Sequence, residues 1–366
     1  MRSGDKKEFR HYLLRWYEAS QRPMPWRETI DPYYIWISEV MLQQTQVATV
    51  IGYFNRFVQR FPDIKTLAEA DLQDVLKLWE GLGYYSRARN LHQAVNQLVE
   101  RGVFTVPDTP SEFLSLSGVG PYTCSAVQSI AFGHPLAVVD GNVKRVLSRL
   151  YELKIPVNDS SVHDVFNKKA DGLLDTSDPS SFNQAMMELG ALVCKPTSPL
   201  CSTCPVASFC KAFADGHVAD FPKRKKKAPV PLRKRVAGLI VVDNTFLIVR
   251  RKEDGFLGGL WELPDASLKK NANPEKTLAE DIQARTGLVV DINKNLTSIK
   301  HAYTHFKLEM DLYLCRVKKG AVVLNGPTDF KWINPDEIDD FAFHKAIHKC
   351  FTVVDAVMRQ GNQPLL

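Results

Sequence analysis

Leu116-Ser-Gly-Val-Gly-Pro-Tyr-Thr123 is the stretch on which the fold turns, and a short apolar helix separates it from Val138-Val-Asp-Gly-Asn-Val143. Gly118 and Gly120 permit a tight turn, and Pro121 suits the first position of a helix. Unbonded amides at such a helix start form a ready grip for a phosphate. Upstream, Thr109-Pro-Ser-Glu112 has capping-box spacing and predicts a helix to about Leu116. Downstream, a helix from Pro121 to about Phe132 turns Ala126, Val127 and Ile130 inward, so residues 110–132 read as helix, hairpin, helix. Asp140 then precedes a helix marked by Val143, Val146, Leu147 and Leu150, where it serves as an N-cap by residue type. Taken singly, these are any tight turn and any cap. Together, a phosphate grip and a carboxylate suggest an enzyme acting on a nucleotide turned out of its duplex.

The length of 366 residues allows two domains, each with its own core, and apolar and charged fractions of 45% and 24% place the chain among globular rather than disordered proteins. The charged start, Met1-Arg-Ser-Gly-Asp-Lys-Lys-Glu8, lacks the apolar stretch of a secretory leader. No apolar run approaches the roughly 20 residues of a bilayer span. The expectation is a monomer without membrane association, cytoplasmic and nucleoid-associated, or nuclear or mitochondrial in a eukaryote. The net charge of +6 is local, because eight basic residues fall at 223–227 and 233–235 and the remainder is slightly acidic. With Pro222, Pro229 and Pro231, residues 222–235 read as a stiffened surface linker, either in electrostatic contact with DNA or merely solvated.

Ahead of the hairpin, Phe9, Leu13, Trp16 and Tyr17 mark an amphipathic helix over 5–20, and a second is predicted from about Tyr33 to Val50. Glu39 sits in the second among Trp36, Ile37, Val40, Met41 and Leu42. It is either a solvated helix glutamate or a carboxyl in an apolar setting, where desolvation raises its pKa and keeps a proton for general-acid work. Gln43-Gln44-Thr45-Gln46 continues the same helix in this reading, as surface or as amides reaching toward bases. Gly81-Leu-Gly-Tyr-Tyr-Ser-Arg-Ala-Arg89 joins a glycine turn, two tyrosines and two arginines, suited to stacking on bases and meeting phosphates or to packing between helices. The positive end of the helix that follows Asp140 would also hold that residue ionised beside a neutral Glu39. Two carboxyls in opposed environments are the arrangement that cleaves glycosidic bonds.

Of seven cysteines, four fall in Cys194-x6-Cys201-x2-Cys204-x5-Cys210, which argues for a cofactor under reducing conditions rather than a disulfide framework. Cysteine-only ligation fits a [4Fe–4S] cluster or zinc, and zinc sites usually present two short-spaced pairs where this chain has one. Cys124, Cys315 and Cys350 read as buried thiols. From Val236 the pattern changes to period two: 237–242 and 246–250 flank Asp243-Asn-Thr245 as a hairpin, and 306–314 alternates, so this half is α+β.

The hairpin, Val139-Asp-Gly-Asn142 and the four cysteines together resemble the helix-hairpin-helix DNA glycosylase superfamily. Within it, Glu39-Val-Met-Leu-Gln-Gln-Thr45 and Gly81-Leu-Gly-Tyr-Tyr-Ser-Arg87 resemble the MutY family of adenine DNA glycosylases, and the match covers nearly the whole chain. Gly258-Gly-Leu-Trp-Glu-Leu-Pro264 and the segment ending Thr286-Gly-Leu288 are similar to a Nudix domain. The resemblance implies an all-α helix-hairpin-helix glycosylase core with an iron–sulfur loop at 194–210, occupying residues 1–221. The linker and a Nudix-like α+β domain at 236–366 complete the expected multidomain chain. It further implies a monofunctional enzyme of base excision repair, releasing adenine mispaired with 8-oxoguanine or guanine in double-stranded DNA. A [4Fe–4S] cluster on Cys194, Cys201, Cys204 and Cys210 would be structural and DNA-contacting, with Lys195 and Lys211 beside it.

By the same resemblance, Glu39 is the general acid toward adenine N7 and Asp140 stabilises the cationic sugar, supported by Tyr122 and Asn142. Tyr122 stands where lyase-competent relatives carry a lysine that forms an imine, which a phenol cannot do. Arg27 and Gln184 hold the adenine, Gln43, Gln44 and Tyr84 act at the base stack, and Gly118 and Gly120 grip the backbone. Tyr303-Thr304-His305 aligns with the family's Phe-Ser-His reader of 8-oxoguanine. Oxidation turns guanine N7 from acceptor to donor, and the Thr304 hydroxyl can accept from it. Hydrolytic Nudix domains hold magnesium on a helix whose ligand positions correspond here to Glu280, Asp281, Ala284 and Arg285. Alanine and arginine leave too few oxygens for that ion, so this domain is expected to read a base rather than hydrolyse a nucleotide. A bifunctional glycosylase-lyase, a DNA-binding scaffold without catalysis and a Nudix hydrolase are the competing classes. Tyr122 speaks against the first, the second has no use for Glu39 and Asp140, and Ala284 with Arg285 speaks against the third.

Overall fold

Apolar residues at helical spacing fold the N-terminal half into helices, and a computed structural model, which describes residues 2–226 and 228–360, places each of them. Met1, Lys227 of the basic run and the last six residues of the expected C-terminal domain lie outside the described residues. One compact unit runs to Ala68 and resumes at Gln93; the other joins Glu69–His92 to the chain from Ala228 onward. Among the described residues no helix is long and apolar enough to cross a membrane.

In the first unit, Phe9, Leu13 and Tyr17 of the helix Ser3–Ser20 pack with Val143, Val146, Leu147 and Leu150 of Gly141–Tyr151. Phe182, Ala185, Met186 and Leu189 of Pro179–Leu192 join the same core. Each such side chain, fully buried, contributes roughly 1.5–3 kcal/mol. Gly190 lets two of these helices meet closely, since a Cβ there would stand 2.6 Å from that of Asn142. The packing thereby fixes the segment that carries Asp140.

The helix predicted over 33–50 is two helices, Pro32–Leu42 and Val47–Arg60. Gln43 through Gln46 is the break rather than a continuation, with Gln44 in the left-handed region at φ 58°. The turn lets the first helix bury almost all of its circumference while the second buries a separate stripe of Val50, Phe54 and Phe57. Thr109 begins the helix Pro110–Leu114 without the expected capping box, because its hydroxyl donates to Asp108 Oδ1 (3.4 Å) and its side chain accepts no helix amide. Of the hairpin glycines only Gly118 needs positive φ (73°); Gly120 is extended and caps Pro121–Phe132.

The second unit is built on a seven-stranded mixed sheet. Its strands are β1 (Leu232–Val242), β2 (Thr245–Arg250), β3 (Trp261–Glu262), β4 (Asp265–Ser267), β5 (Val289–Ala302), β6 (Lys307–Lys319) and β7 (Asp329–Ile333). The order is β3-β2-β1-β6-β5, with β4 on β1 and β7 on β2, and β1 runs parallel to β6. Residues 236–240 are all buried rather than alternating, because both sheet faces are covered. Ala237 and Leu239 face a core shared with Ala346, Ile347, Cys350 and Val354 of the helix Lys345–Gln360. Val236 and Ile240 face Leu278 and Ile282 of Pro274–Thr286.

Two expectations about boundaries differ from this architecture. The linker stops short of 235, since β1 begins at Leu232, and pairing with β6 gives its polar start backbone partners. Nor are its cations all idle: Lys225 pairs with Asp159 (2.6 Å), Arg233 lies over the Phe306 ring (4.2 Å) and Arg235 forks onto Asp265. Glu69–His92, assigned by sequence to the helical domain, packs instead with the sheet-bearing unit. Gln73 donates to the Gly259 carbonyl (3.0 Å) and accepts from Trp261 Nε1 (2.9 Å). Bonds so distant along the chain leave no periodic trace in sequence.

Candidate active site

Glu39 is carried by the helix Pro32–Leu42, which starts cleanly because Asp31 accepts from the Tyr33 amide (2.8 Å) and Pro32 occupies the first helical position. The solvated alternative is thereby excluded: Glu39 is 5% exposed. Burial pushes its carboxyl up to about 7, opposed by the hydrogen bond from Tyr122 and reinforced by the nearby charge of Asp140. The Tyr122 hydroxyl donates to Glu39 Oε2 at 2.7 Å, and burial and Glu39 hold that phenol well above its ordinary value. Because the bond favours the carboxylate, Tyr122→Phe is expected to raise the Glu39 pKa further and move the alkaline limb of the pH–rate profile upward.

Asp140 caps Gly141–Tyr151, accepting from the Val143 amide (2.7 Å) and from Asn142 Nδ2 (2.9 Å). The expected contrast with Glu39 is only partial. Burial raises Asp140 as well, against the pull of the Val143 and Asn142 hydrogen bonds, so the two acids differ in degree rather than in the direction of their shifts. Both line one cavity of about 500 Å³ with Tyr122, Asn142, Arg27 and Gln184. That volume suits a base with part of its sugar.

At the cavity's far wall, Arg27 Nε and the Tyr17 hydroxyl both donate to Gln184 Oε1 at 3.2 Å. The sequence reading missed the group that orders them: Glu188, almost fully buried, accepts from Arg27 Nη2 (3.1 Å) and from Arg22 Nε and Nη2 (both 2.8 Å). Burial opposes its charge, yet Arg22 and Arg27 hold Glu188 at about 2. Its spacing of four from Gln184 on one helix face was the available signal. Of the polar run after Glu39, Thr45 and Gln46 line the cavity, whereas Gln43 donates to Thr123 (3.1 Å) and Gln44 is exposed.

Arg145, also missed, ties the acid segment to the cysteine loop. Its guanidinium donates to Asn142 Oδ1 (2.8 Å), the Gly190 carbonyl (2.8 Å) and the Cys194 carbonyl (2.7 Å). Arg145→Gln strands these buried acceptors and should lower stability by roughly 2–3 kcal/mol, read from denaturant melts. One turn on, Arg149 donates to Cys194 Sγ (3.3 Å) and the Lys195 carbonyl (2.7 Å). Cys194, Cys201, Cys204 and Cys210 line a single small cavity with Arg149, Val193 and Phe213. Among the described residues no group of three or more His, Cys, Asp or Glu is arranged to hold a metal ion, and the thiols border the cavity rather than meet at a point. Lys211, beside the cysteine loop, lies 3.6 Å from Glu152. The helix Pro121–Phe132 starts without a side-chain cap, and nothing lies within 4 Å of a Cβ built on Gly120, so its first amides stand open to an anion.

The second unit has its own pocket of about 350 Å³, lined by Tyr84, Arg89, Phe256, Tyr303, Thr304 and His305 among others. The two aromatic loops singled out in the sequence meet there, with the Tyr84 hydroxyl 2.5 Å from Thr304 Oγ1. Elsewhere in this unit, Arg285 lies within 3.6–3.7 Å of carboxylate oxygens of Glu262, Asp265 and Asp281. Glu280 is at the surface, 3.8 Å from Lys276. Guanidinium groups thus already pair with these acids, Arg235 with Asp265 and Arg251 with Glu262 besides Arg285. Cys124, Cys315 and Cys350 are buried thiols.

The family described as HhH-GPD superfamily base excision DNA repair protein matches residues 37–168, and the NUDIX domain family matches 236–353. The chain is 34% identical over 412 residues to Adenine DNA glycosylase of Homo sapiens, covering 97% of this chain and 74% of that protein. It is 30% identical over 400 residues to the Adenine DNA glycosylase of Schizosaccharomyces pombe, covering 91% and 86%. Among solved structures, a thermostable thymine-DNA glycosylase superposes with a TM-score of 0.53 at 28% identity, over 58% of this chain and 98% of its own. A helix-hairpin-helix glycosylase core with two acids lining one cavity, followed by a Nudix-like domain, accounts for each of these likenesses, and the chain belongs to the family of adenine DNA glycosylases.

Proposed function

We propose that the protein is a monofunctional glycosylase that hydrolyses the N-glycosidic bond of adenine mispaired with 8-oxoguanine or guanine in double-stranded DNA. The observation that carries this is the buried Glu39 and the half-buried Asp140 bordering one base-sized cavity, Glu39 with a pKa of about 7. A protonated Glu39 delivers its proton to adenine N7, which makes the base a better leaving group. The positive charge that develops on the sugar is stabilised by the Asp140 carboxylate, held in place by Asn142 and the Val143 amide. Arg27 and Gln184, braced by Glu188, bind the adenine. Water completes the reaction, with the Glu39 carboxylate as its base. Tyr122 offers no amine, so the reaction stops at the abasic site.

Partner-strand reading falls to the Tyr84 and Tyr303-Thr304-His305 pocket, where the Thr304 hydroxyl accepts from the N7–H of an oxidised guanine. The open amides after Gly120 hold the DNA backbone. The four cysteines fit a [4Fe–4S] cluster: the donors are all thiols around one cavity, and Arg149 offsets their charge. When bound, the cluster cross-links the loop 194–210. Iron and acid-labile sulfide in the purified protein are the expected assay result, and stoichiometric zinc instead overturns that assignment.

Single-turnover assays on duplexes pairing adenine with 8-oxoguanine, guanine or thymine test the function. Base release opposite the first two, with strand breaks only after alkali, is the expected outcome. Release only opposite thymine, or release of a pyrimidine, overturns it.

A further inference from the structure

The reader loop Tyr303-Thr304-His305 is too short to fix its own side chains. It joins β5 to β6 through a single closing bond, Tyr303 N to the Phe306 carbonyl (2.9 Å), and Thr304 and His305 are exposed. Groups outside the loop hold it through Tyr303: its ring meets Phe256, Phe306 and His301 at centroid distances of 5.1, 4.9 and 4.5 Å, and its hydroxyl reaches His344 Nδ1 at 3.1 Å. His344 is 6% exposed, and burial keeps its ring neutral at physiological pH, so its Nδ1 and the Tyr303 hydroxyl form a hydrogen bond in which the ring tautomer sets which of the two donates.

The residue before it holds the other loop. Tyr85, next to Tyr84, donates to the Phe343 carbonyl (3.2 Å), and Glu80 accepts from the Phe343 amide (2.7 Å) and lies 2.8 Å from His348 Nε2. Phe343 and His344, adjacent in the chain, therefore anchor the loops 81–85 and 303–305 of the pocket. Across the pocket the Tyr84 hydroxyl stands 2.5 Å from Thr304 Oγ1.

We propose that His344 is a positioning residue for recognition of the base opposite adenine, acting through the Tyr303 hydroxyl to set where the Thr304 hydroxyl stands relative to Tyr84. The inference rests on the reading of this pocket as the 8-oxoguanine site. It also gives the tyrosine at 303 a task that phenylalanine, the family's residue in this loop, cannot perform.

The test uses the full-length protein and the ratio of single-turnover adenine excision opposite 8-oxoguanine to that opposite guanine. His344→Phe keeps bulk and removes the ring nitrogen; Tyr303→Phe removes the hydroxyl; His344→Asn restores a hydrogen-bonding group near the Nδ1 position. One hydrogen bond lost predicts a fall in the ratio on the order of fivefold for either phenylalanine variant, no further fall in the double variant, and a ratio near the parent value for His344→Asn. A general loss of stability would lower both rates and leave the ratio alone. An unchanged ratio in Tyr303→Phe, or additive losses in the double variant, overturns the proposal, and Tyr303→Phe decides the matter even if His344→Phe does not fold. A parent protein with no preference for 8-oxoguanine would instead overturn the reading of the pocket, a distinguishable failure.

Discussion

Glu39→Gln is expected to abolish adenine release, lowering the single-turnover rate by about 10²–10⁴-fold while leaving the fold intact. Glutamine matches the size and neutrality of the protonated acid, so a cavity that already disfavours charge at this position accepts it; what is lost is the transferable proton. The pH profile supplies an independent check. With a folded pKa of about 7, raised chiefly by burial, Glu39 holds its proton below that value and sheds it above. The rate should therefore be level on the acid side of about 7 and fall roughly tenfold per pH unit on the alkaline side, and Glu39→Gln should lack that limb. A pH-independent parent rate, or substantial activity in the variant, would remove Glu39 from the role of acid.

Asp140→Asn should be nearly as damaging to the rate, by about 10²–10³-fold, for a different reason. Asparagine is as good an N-cap as aspartate, and its oxygen can still accept from the Val143 amide. The helix Gly141–Tyr151 and the melting temperature should change little. The variant has lost only the negative charge facing the sugar. Thermal melts beside single-turnover rates separate the two functions: a loss of activity with retained stability is charge stabilisation, whereas parallel losses would reduce Asp140 to a cap. Duplex binding by the variant should persist, because the open amides after Gly120, which we propose hold the backbone, are untouched.

Much of this site was legible in the chain. Two glycines before Pro121, an aspartate before an amphipathic helix and four closely spaced cysteines are local signals, and local signals survive in one dimension. Glu39 was legible for the same reason, since its apolar neighbours three and four residues away share its helix face. What failed were inferences that extended a local pattern past a turn. The helix carried through Gln43 to Gln46 broke because left-handed Gln44 turns the chain, and the capping box at Thr109 lost to a bond with its neighbour Asp108.

The sequence by itself determined the helical and sheet-bearing halves, the two acids, the cysteine set and the absence of a lysine after the hairpin, because each depends on residue type and short spacing. Only the tertiary structure decided that Tyr122 bonds Glu39, that Glu188 gathers Arg22 and Arg27, that Arg145 reaches Gly190 and Cys194, and that Glu69–His92 belongs with the sheet. Those contacts join residues tens to hundreds of positions apart, and their strength comes from burial, which a sequence does not display until the chain has closed around it.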